Sequence, residues 1–99
     1  MDLDVRHLRL MVAIADTGSV TRAGDRLHLT QSALSHQLSD LESRLRARLF
    51  HRVGKKMVVT SAGDALLRSA RQILEVLEQT EAGIKRVAHG AEGRLRLST

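Results

Sequence analysis

A long helical seam is the feature of this 99-residue chain that most constrains its fold. Between about residues 60 and 89, apolar or small side chains recur alternately four and three positions apart, the period of a helix that packs along another helix. The members of the seam are Leu66, Ala70, Ile73, Leu77, Thr80, Ile84 and Val87. Such a helix of about 28 residues is about 42 Å long, more than a core of this size covers. We therefore expect part of the seam to meet a second helix, either in a dimer or in a partner domain.

Three shorter helices are predicted ahead of the seam, separated by residues that favour turns. The first spans about residues 4–16 and ends where Gly18 permits a left-handed cap. Ser19 is placed to cap a short second helix, and Thr30 to cap a third helix that spans residues 31–45. Two helices joined by about three residues form the outline of a helix-turn-helix.

The pattern changes from helix to strand after the third helix. Residues 49–53 and 57–60 are rich in β-forming side chains and flank Gly54, so they predict a two-stranded hairpin. Thr60 or Ser61 begins the fourth helix, and Ser61 and Asp64 have the spacing of a capping box.

The end of the chain has a different pattern from the seam. Gly90 and Gly93 are expected to end the fourth helix near residue 89, and residues 94–97 alternate polar and apolar like the beginning of a strand. A lone strand has nothing to pair with. We therefore expect the chain to be the front part of a longer protein.

The net charge of +5 is concentrated in one segment. Residues 43–63 hold six basic side chains and no acidic one. A focused basic patch favours a polyanionic partner, above all nucleic acid. The alternative is a solvated face that only keeps the protein soluble.

Composition excludes several classes of protein. The chain has no cysteine and Phe50 is its only aromatic residue, which excludes disulfides, thiolate metal sites and an aromatic platform for single-stranded nucleic acid. No apolar run approaches the ~18 residues of a membrane span. We expect an intracellular protein with no membrane partner.

No group of residues has the arrangement that catalysis needs. Ser35 and His36 are adjacent on a helix, so they do not face one another. The five histidines have no spacing with a carboxylate that suggests a zinc site. We therefore expect no enzyme activity, no metal and no cofactor in this chain.

A family resemblance is carried by several motifs that occur in order. They are residues 18–23, 27–38, Leu41-Glu42, Leu49-Phe50-His51-Arg52 and Thr60-Ser61-Ala62-Gly63. Together they resemble the N-terminal signature of the LysR-type transcriptional regulators, in register over about residues 4–97. Residues 31–37, Gln-Ser-Ala-Leu-Ser-His-Gln, are similar to the methionine-biosynthesis regulators within that family.

The resemblance implies a mainly α fold with three parts. Residues 1–60 would form a winged helix-turn-helix of three helices and a two-stranded wing, and residues 61–90 a long linker helix that dimerises. Residues 91–99 would begin a truncated C-terminal effector domain.

The resemblance also implies sequence-specific binding to double-stranded DNA by a dimer on an interrupted palindrome. The third helix would lie in the major groove and the basic wing at the minor groove. For the full-length protein it implies a small-molecule inducer, a tetramer as a further assembly, RNA polymerase as a further partner, and a cytoplasmic, nucleoid-associated location. The alternative is a basic winged-helix module that binds protein or nucleic acid without sequence specificity.

Candidate residues can be named for the base contacts, the DNA-backbone contacts and the dimer seam. Contacts to DNA bases are predicted at the start of the third helix, from Gln31, Ser32, Ser35 and His36. Contacts to the DNA backbone are predicted from Thr30, Arg22, Arg52, Lys55 and Lys56. The dimer seam is predicted to consist of Leu66, Ala70, Ile73, Leu77, Ile84 and Val87.

Three positions depart from the common family pattern. Ser32 stands where proline is frequent, and His36 where arginine is frequent. Arg46 stands where glycine is usual. Arg46 must either adopt a positive φ at a cost of ~1 kcal/mol or turn the chain differently.

Overall fold

Three helices, a β-hairpin and a long fourth helix follow one another along the chain, in the mainly helical arrangement that the sequence predicts. The computed structural model describes residues 3–98, and the side chains of residues 3–90. The elements are α1 (Val5–Thr17), α2 (Val20–Leu27), α3 (Gln31–Leu45), β1 (Phe50–Val53), β2 (Lys56–Val59) and α4 (Ser61–Ser98).

Side-chain caps fix where the first three helices begin. Asp4 accepts a hydrogen bond from the Arg6 backbone N–H, and the Asp4 N–H in turn donates to Nδ1 of the buried His7 at 3.2 Å. Ser19 and Thr30 cap α2 and α3 by accepting from backbone N–H groups three residues later. These bonds satisfy donors that the helices themselves leave without partners.

The hairpin is closed by a two-residue turn and held against the helices. Phe50 pairs with Val59 and Val53 with Lys56 in the antiparallel register. Gly54 has φ of 62° at the first turn position, a conformation that favours glycine. The backbone N–H of Met57 donates to the carbonyl oxygen of Gly18 at 2.9 Å, which ties β2 to the turn between α1 and α2.

The core lies where α1, α3 and the start of β1 meet. Phe50, the single aromatic residue, is 1% exposed. The other largest fully buried side chains are Leu10, Met11, Ile14, Leu34, Leu41 and Leu49. Burying these side chains is the main term that stabilises the three short helices against one another.

The start of α4 is fixed by Thr60, which settles the alternative of Thr60 or Ser61. The Thr60 hydroxyl accepts from the Gly63 backbone N–H at 3.0 Å and donates to the Arg48 carbonyl. A capping box between Ser61 and Asp64 is therefore not what begins the helix. α4 then packs against α1, where Arg71 pairs with Asp16 at 2.8 Å.

The predicted end of α4 is wrong. The helix continues through Gly90 and Gly93 to Ser98, and residues 94–97 are helical rather than extended. Glycine costs a helix about 1 kcal/mol, which weakens it without ending it. A strand needs a neighbouring strand for its backbone hydrogen bonds, whereas a helix forms them within itself. The alternation of polar and apolar side chains in residues 94–97 therefore does not produce a strand.

Arg46 turns the chain at the end of α3 in the left-handed conformation. Its φ and ψ are 54° and 42°, and its backbone N–H donates to the Glu42 and Ser43 carbonyl oxygens. The first of the two alternatives drawn from the sequence is therefore the one that occurs. The corner that leads into the hairpin has the geometry that glycine would give it.

Candidate nucleic-acid interface

The N-terminal ends of α2 and α3 lie side by side on one surface. The Thr21 hydroxyl, in the first turn of α2, donates to Oε1 of Gln31, the first residue of α3, at 3.1 Å. The N-terminus of a helix carries exposed N–H groups and a partial positive charge. Two such ends together form a surface that favours an anionic ligand such as phosphate.

The predicted reading residues all lie on the exposed side of α3. Gln31, Ser32, Ser35 and His36 are exposed, whereas Leu34, Leu38 and Leu41 are buried on the opposite side. None of the four exposed side chains carries a formal charge when His36 is neutral. The surface at the start of α3 therefore has no formal charge in that state, and all four of its side chains carry hydrogen-bonding groups.

Thr30 has a structural role at this surface. Its hydroxyl accepts from the Ala33 N–H at 3.0 Å and so caps α3. Arg22 lies in the first turn of α2 with an exposed side chain, on the same element as Thr21. The two predicted backbone-contacting residues of the helices thus lie at the N-terminal ends of α2 and α3.

The three basic residues of the hairpin do not share one face. Arg52 pairs with Met57, and Lys56 pairs with Val53, so the pleat directs Arg52 and Lys56 to opposite faces. Lys55 lies in the turn between the strands. The hairpin therefore carries its positive charge around its tip rather than along one side.

Ion pairs divide the basic segment into two groups. Arg44 pairs with Asp40 at 3.0 Å and Arg48 with Glu42 at 3.7 Å, both within the chain. Among the residues with described side chains, Arg52 and the two hairpin lysines form no ion pair. The three hairpin charges and the exposed Arg46 thus have no ion pair among the described side chains and are available to an external anion.

Glu42 has a role that the sequence pattern did not reveal. Its carboxylate accepts a hydrogen bond from the Leu49 backbone N–H at 2.7 Å, and its side chain is only 15% exposed. This bond joins the C-terminal half of α3 to the start of the hairpin. The Leu41-Glu42 motif in the sequence marks Glu42 as a residue of interest. Only the fold shows that its carboxylate accepts from the Leu49 N–H.

The structure divides the predicted dimer seam. Leu66 packs against the core of its own domain and Ala70 has no exposed surface, whereas the partner contacts of the seam stay a prediction. Leu77 is half-buried, in a groove that α4 forms with α1 and α2. The exposed members are Ile73, Ile84 and Val87. Val76, which the seam omitted, is 59% exposed beside them.

Among the residues that the structure describes, no three histidine or acidic side chains form a group that could hold a metal ion. Within the same residues, no helix is long and apolar enough to span a membrane.

Comparison with known proteins places the chain in a family. Residues 5–64, more than half of the chain, match the family described as bacterial regulatory helix-turn-helix protein, lysR family. The chain belongs to the LysR family. The resemblance noted in the sequence is thereby confirmed, and the match begins at the first residue of α1 and ends within the first turn of α4.

Curated relatives of this LysR-family chain are transcriptional regulators. An uncharacterized HTH-type regulator of Azotobacter vinelandii is 44% identical over 97 residues, which are 98% of this chain and 67% of the relative. MetR of Haemophilus influenzae is 41% identical over 97% of this chain and 31% of its own length. MetR of Escherichia coli is 46% identical over 78% of this chain and 24% of its own length. The chain thus spans about a third or less of these MetR proteins.

Solved structures of the same fold include complexes with DNA. The BenM_DBD complex with benA site 1 DNA has a TM-score of 0.81 at 33% identity and covers 89% of this chain and 99% of that one. The CbnR_DBD–DNA complex has a TM-score of 0.76 at 31% identity and covers 87% of this chain and 99% of that one. These similarities confirm the predicted fold, a winged helix-turn-helix followed by a long helix.

Proposed function

We propose that this chain binds double-stranded DNA sequence-specifically, as the DNA-binding part of a LysR-type transcriptional regulator. The observation that carries the proposal is the exposed, uncharged N-terminal surface of α3 beside a hairpin whose basic residues have no ion pair in the described chain. The similar structures of the BenM and CbnR domains, solved with DNA, support it. In this proposal Gln31, Ser32, Ser35 and His36 contact base edges in the major groove.

The basic wing contributes affinity rather than sequence preference in this proposal. Arg52, Lys55 and Lys56 contact phosphates and the minor-groove edge, and Arg22 contacts phosphate beside α3. Contacts to phosphate position a protein on the duplex but carry no sequence information. Arg52 and Lys56 lie on opposite faces of the hairpin, which suits a hairpin placed between the two phosphate backbones of the DNA minor groove.

A second copy of the chain is the proposed partner of α4. Ile73, Val76, Ile84 and Val87 are 45–70% exposed and lie at helical spacing on one side of α4. Burying this row against the same row of a second copy would give a two-fold dimer. We expect Ile84→Glu to lower the dimer fraction measured by sedimentation, and the exposed Gln79→Glu on another side of α4 to leave that fraction unchanged.

The alternative of an unspecific interaction module is less favoured by this surface. The helix N-termini can hold a phosphate through their backbone N–H groups alone, yet four exposed side chains with hydrogen-bonding groups also lie at the start of α3. Side chains of this kind can contact base edges in the major groove. The predicted inducer, tetramer and RNA polymerase contact belong to the longer regulator and stay predictions.

A competition gel shift tests the proposed function. The labelled probe is an interrupted palindrome with T and A at its ends, and the competitors are the same duplex unlabelled, a scrambled duplex of equal composition, and RNA. We expect the palindrome to compete at least tenfold better than the scrambled duplex at about 150 mM salt. Equal competition by all of them would overturn sequence-specific binding and favour the interaction module.

A further inference from the structure

A side-chain hydrogen bond outside the predicted contact set connects α2 to the first residue of α3. The Thr21 hydroxyl donates to Oε1 of Gln31 at 3.1 Å, and both side chains are exposed. Capping does not require this hydroxyl, because Ser19 caps α2 and Thr30 caps α3. Thr21 is therefore free to act on Gln31 alone.

The bond restrains the Gln31 side chain in the orientation that the structure shows. A carboxamide has an acceptor oxygen and a donor NH₂ of nearly the same shape, so an unrestrained exposed glutamine presents either one to a ligand. With one lone pair of Oε1 occupied by Thr21, the NH₂ group of Gln31 is left wholly free for an incoming base. The second lone pair of Oε1 also stays available, as a bidentate contact with adenine requires.

We infer that Thr21 is a positioning residue for base recognition, which orients Gln31 so that its amide donates to a base acceptor. This inference rests on the proposed function. The major groove offers acceptors at purine N7, guanine O6 and thymine O4, whereas cytosine offers a donor at N4. Adenine, whose N7 accepts and whose N6 donates, is therefore the base that this orientation of Gln31 fits best.

The test compares Thr21→Val, which keeps the shape and removes the hydroxyl, with Thr21→Ser, which keeps the hydroxyl. Dissociation constants are measured for the preferred duplex and for duplexes in which each base pair is changed in turn. We expect Gln31→Ala to weaken discrimination at one base pair, and Thr21→Val to weaken it about three- to tenfold at that same pair. Thr21→Ser should stay within twofold of the original chain.

A double variant and the salt dependence separate positioning from a general contact. Thr21→Val should have no further effect on discrimination when Gln31 is already alanine, and it should leave the slope of log K against log[salt] unchanged. Equal weakening for every duplex, or a slope reduced by about one, would instead make Thr21 a phosphate contact and overturn the inference. A chain without any base preference would overturn the proposed function as well, which distinguishes the two failures.

The free chain provides a second measurement that needs no DNA. We expect the Gln31 side-chain amide to show restricted motion in ¹⁵N relaxation, and Thr21→Val to release it while backbone shifts outside α2 and α3 stay unchanged. Thr21→Ser should retain the restriction. A Gln31 amide that is equally mobile in all three chains would overturn the inference.

Discussion

Two residues besides glycine hold the left-handed conformation in the described chain, and both end helices. His28 has φ of 59° and ends α2, while Arg46 has φ of 54° and ends α3. A side chain with a Cβ pays about 1 kcal/mol or more for this conformation. At Arg46 this conformation occurs at the corner between α3 and the hairpin.

We expect Arg46→Gly to stabilise the domain by about 0.5–1 kcal/mol, because glycine adopts the left-handed conformation without the Cβ penalty. The free energy of unfolding, measured in urea, gives the result. Arg46→Ala is the matched control, since it removes the guanidinium but retains the Cβ. An equal gain in both variants would attribute the effect to charge instead of backbone conformation.

Asp4 makes the stability of the start of α1 depend on pH. Its hydrogen bond from the Arg6 guanidinium lowers the pKa of the Asp4 carboxyl from 3.8 to about 2. The folded chain therefore holds this carboxylate unprotonated where the unfolded chain binds a proton. The resulting stabilisation is fully present above about pH 3.8 and is lost as the pH falls towards 2.

We expect the stability difference between the original chain and Asp4→Asn to shrink as the pH falls from 5 to 2. Asparagine keeps a capping oxygen but does not ionise, so it isolates the contribution of the charge. Urea unfolding at several pH values measures the difference. If the difference in unfolding free energy stays constant over this pH range, the charge of Asp4 beside Arg6 is not its cause.

At the scale of elements, the start of α4 and the start of the hairpin depend on each other. The Thr60 backbone N–H donates to the Leu49 carbonyl oxygen at 3.0 Å, and Gly63 packs so closely that a Cβ there would overlap that oxygen. The Glu42 carboxylate holds the Leu49 N–H from the other side. One peptide segment thus fixes α3, the hairpin and α4 relative to one another.

We expect Gly63→Ala to destabilise the domain by about 3 kcal/mol, because the added methyl group forces the Leu49 backbone to move. Gly90→Ala is the control in the same helix, where a Cβ meets nothing within 4 Å. That control should gain up to about 1 kcal/mol of stability and some helicity by circular dichroism. Similar losses in both variants would contradict the close packing at Gly63.

The sequence predicted the three short helices, the hairpin and the exposed start of α3 because these depend on local patterns. Gly18, Ser19 and Thr30 mark helix boundaries by themselves, since their conformational and capping preferences act within a few residues. The bonds from Glu42 to Leu49 and from Thr21 to Gln31 join residues 7 and 10 positions apart in different elements, so periodicity does not reveal them. Which residues of the α4 seam pack on their own core and which stay exposed likewise depends on where α1 lies.

At the scale of the whole molecule, charge and reading surface are separated. Six basic side chains lie in residues 43–63, and the exposed start of α3 that we propose to read bases is uncharged. Affinity that depends on salt should therefore be separable from base preference by mutation.

We expect the double change Lys55→Ala and Lys56→Ala to reduce the slope of log K against log[salt] by about two, because each phosphate contact contributes about 0.9. The ratio of affinities for preferred and scrambled duplexes should change little. Arg44→Ala is the control, since Arg44 is already paired with Asp40 at 3.0 Å. An unchanged slope in the double variant would remove the hairpin from the interface.

We propose that two copies of this chain read DNA sequence through the start of α3. Selection of bound duplexes from a random library, followed by sequencing, tests this proposal. We expect an enriched motif with two-fold symmetry, its half-sites centred about 10 base pairs apart, and loss of preference at one symmetric pair of positions with Gln31→Ala. Bound duplexes with no enriched motif, or with a motif that Gln31→Ala leaves intact at every position, would contradict it.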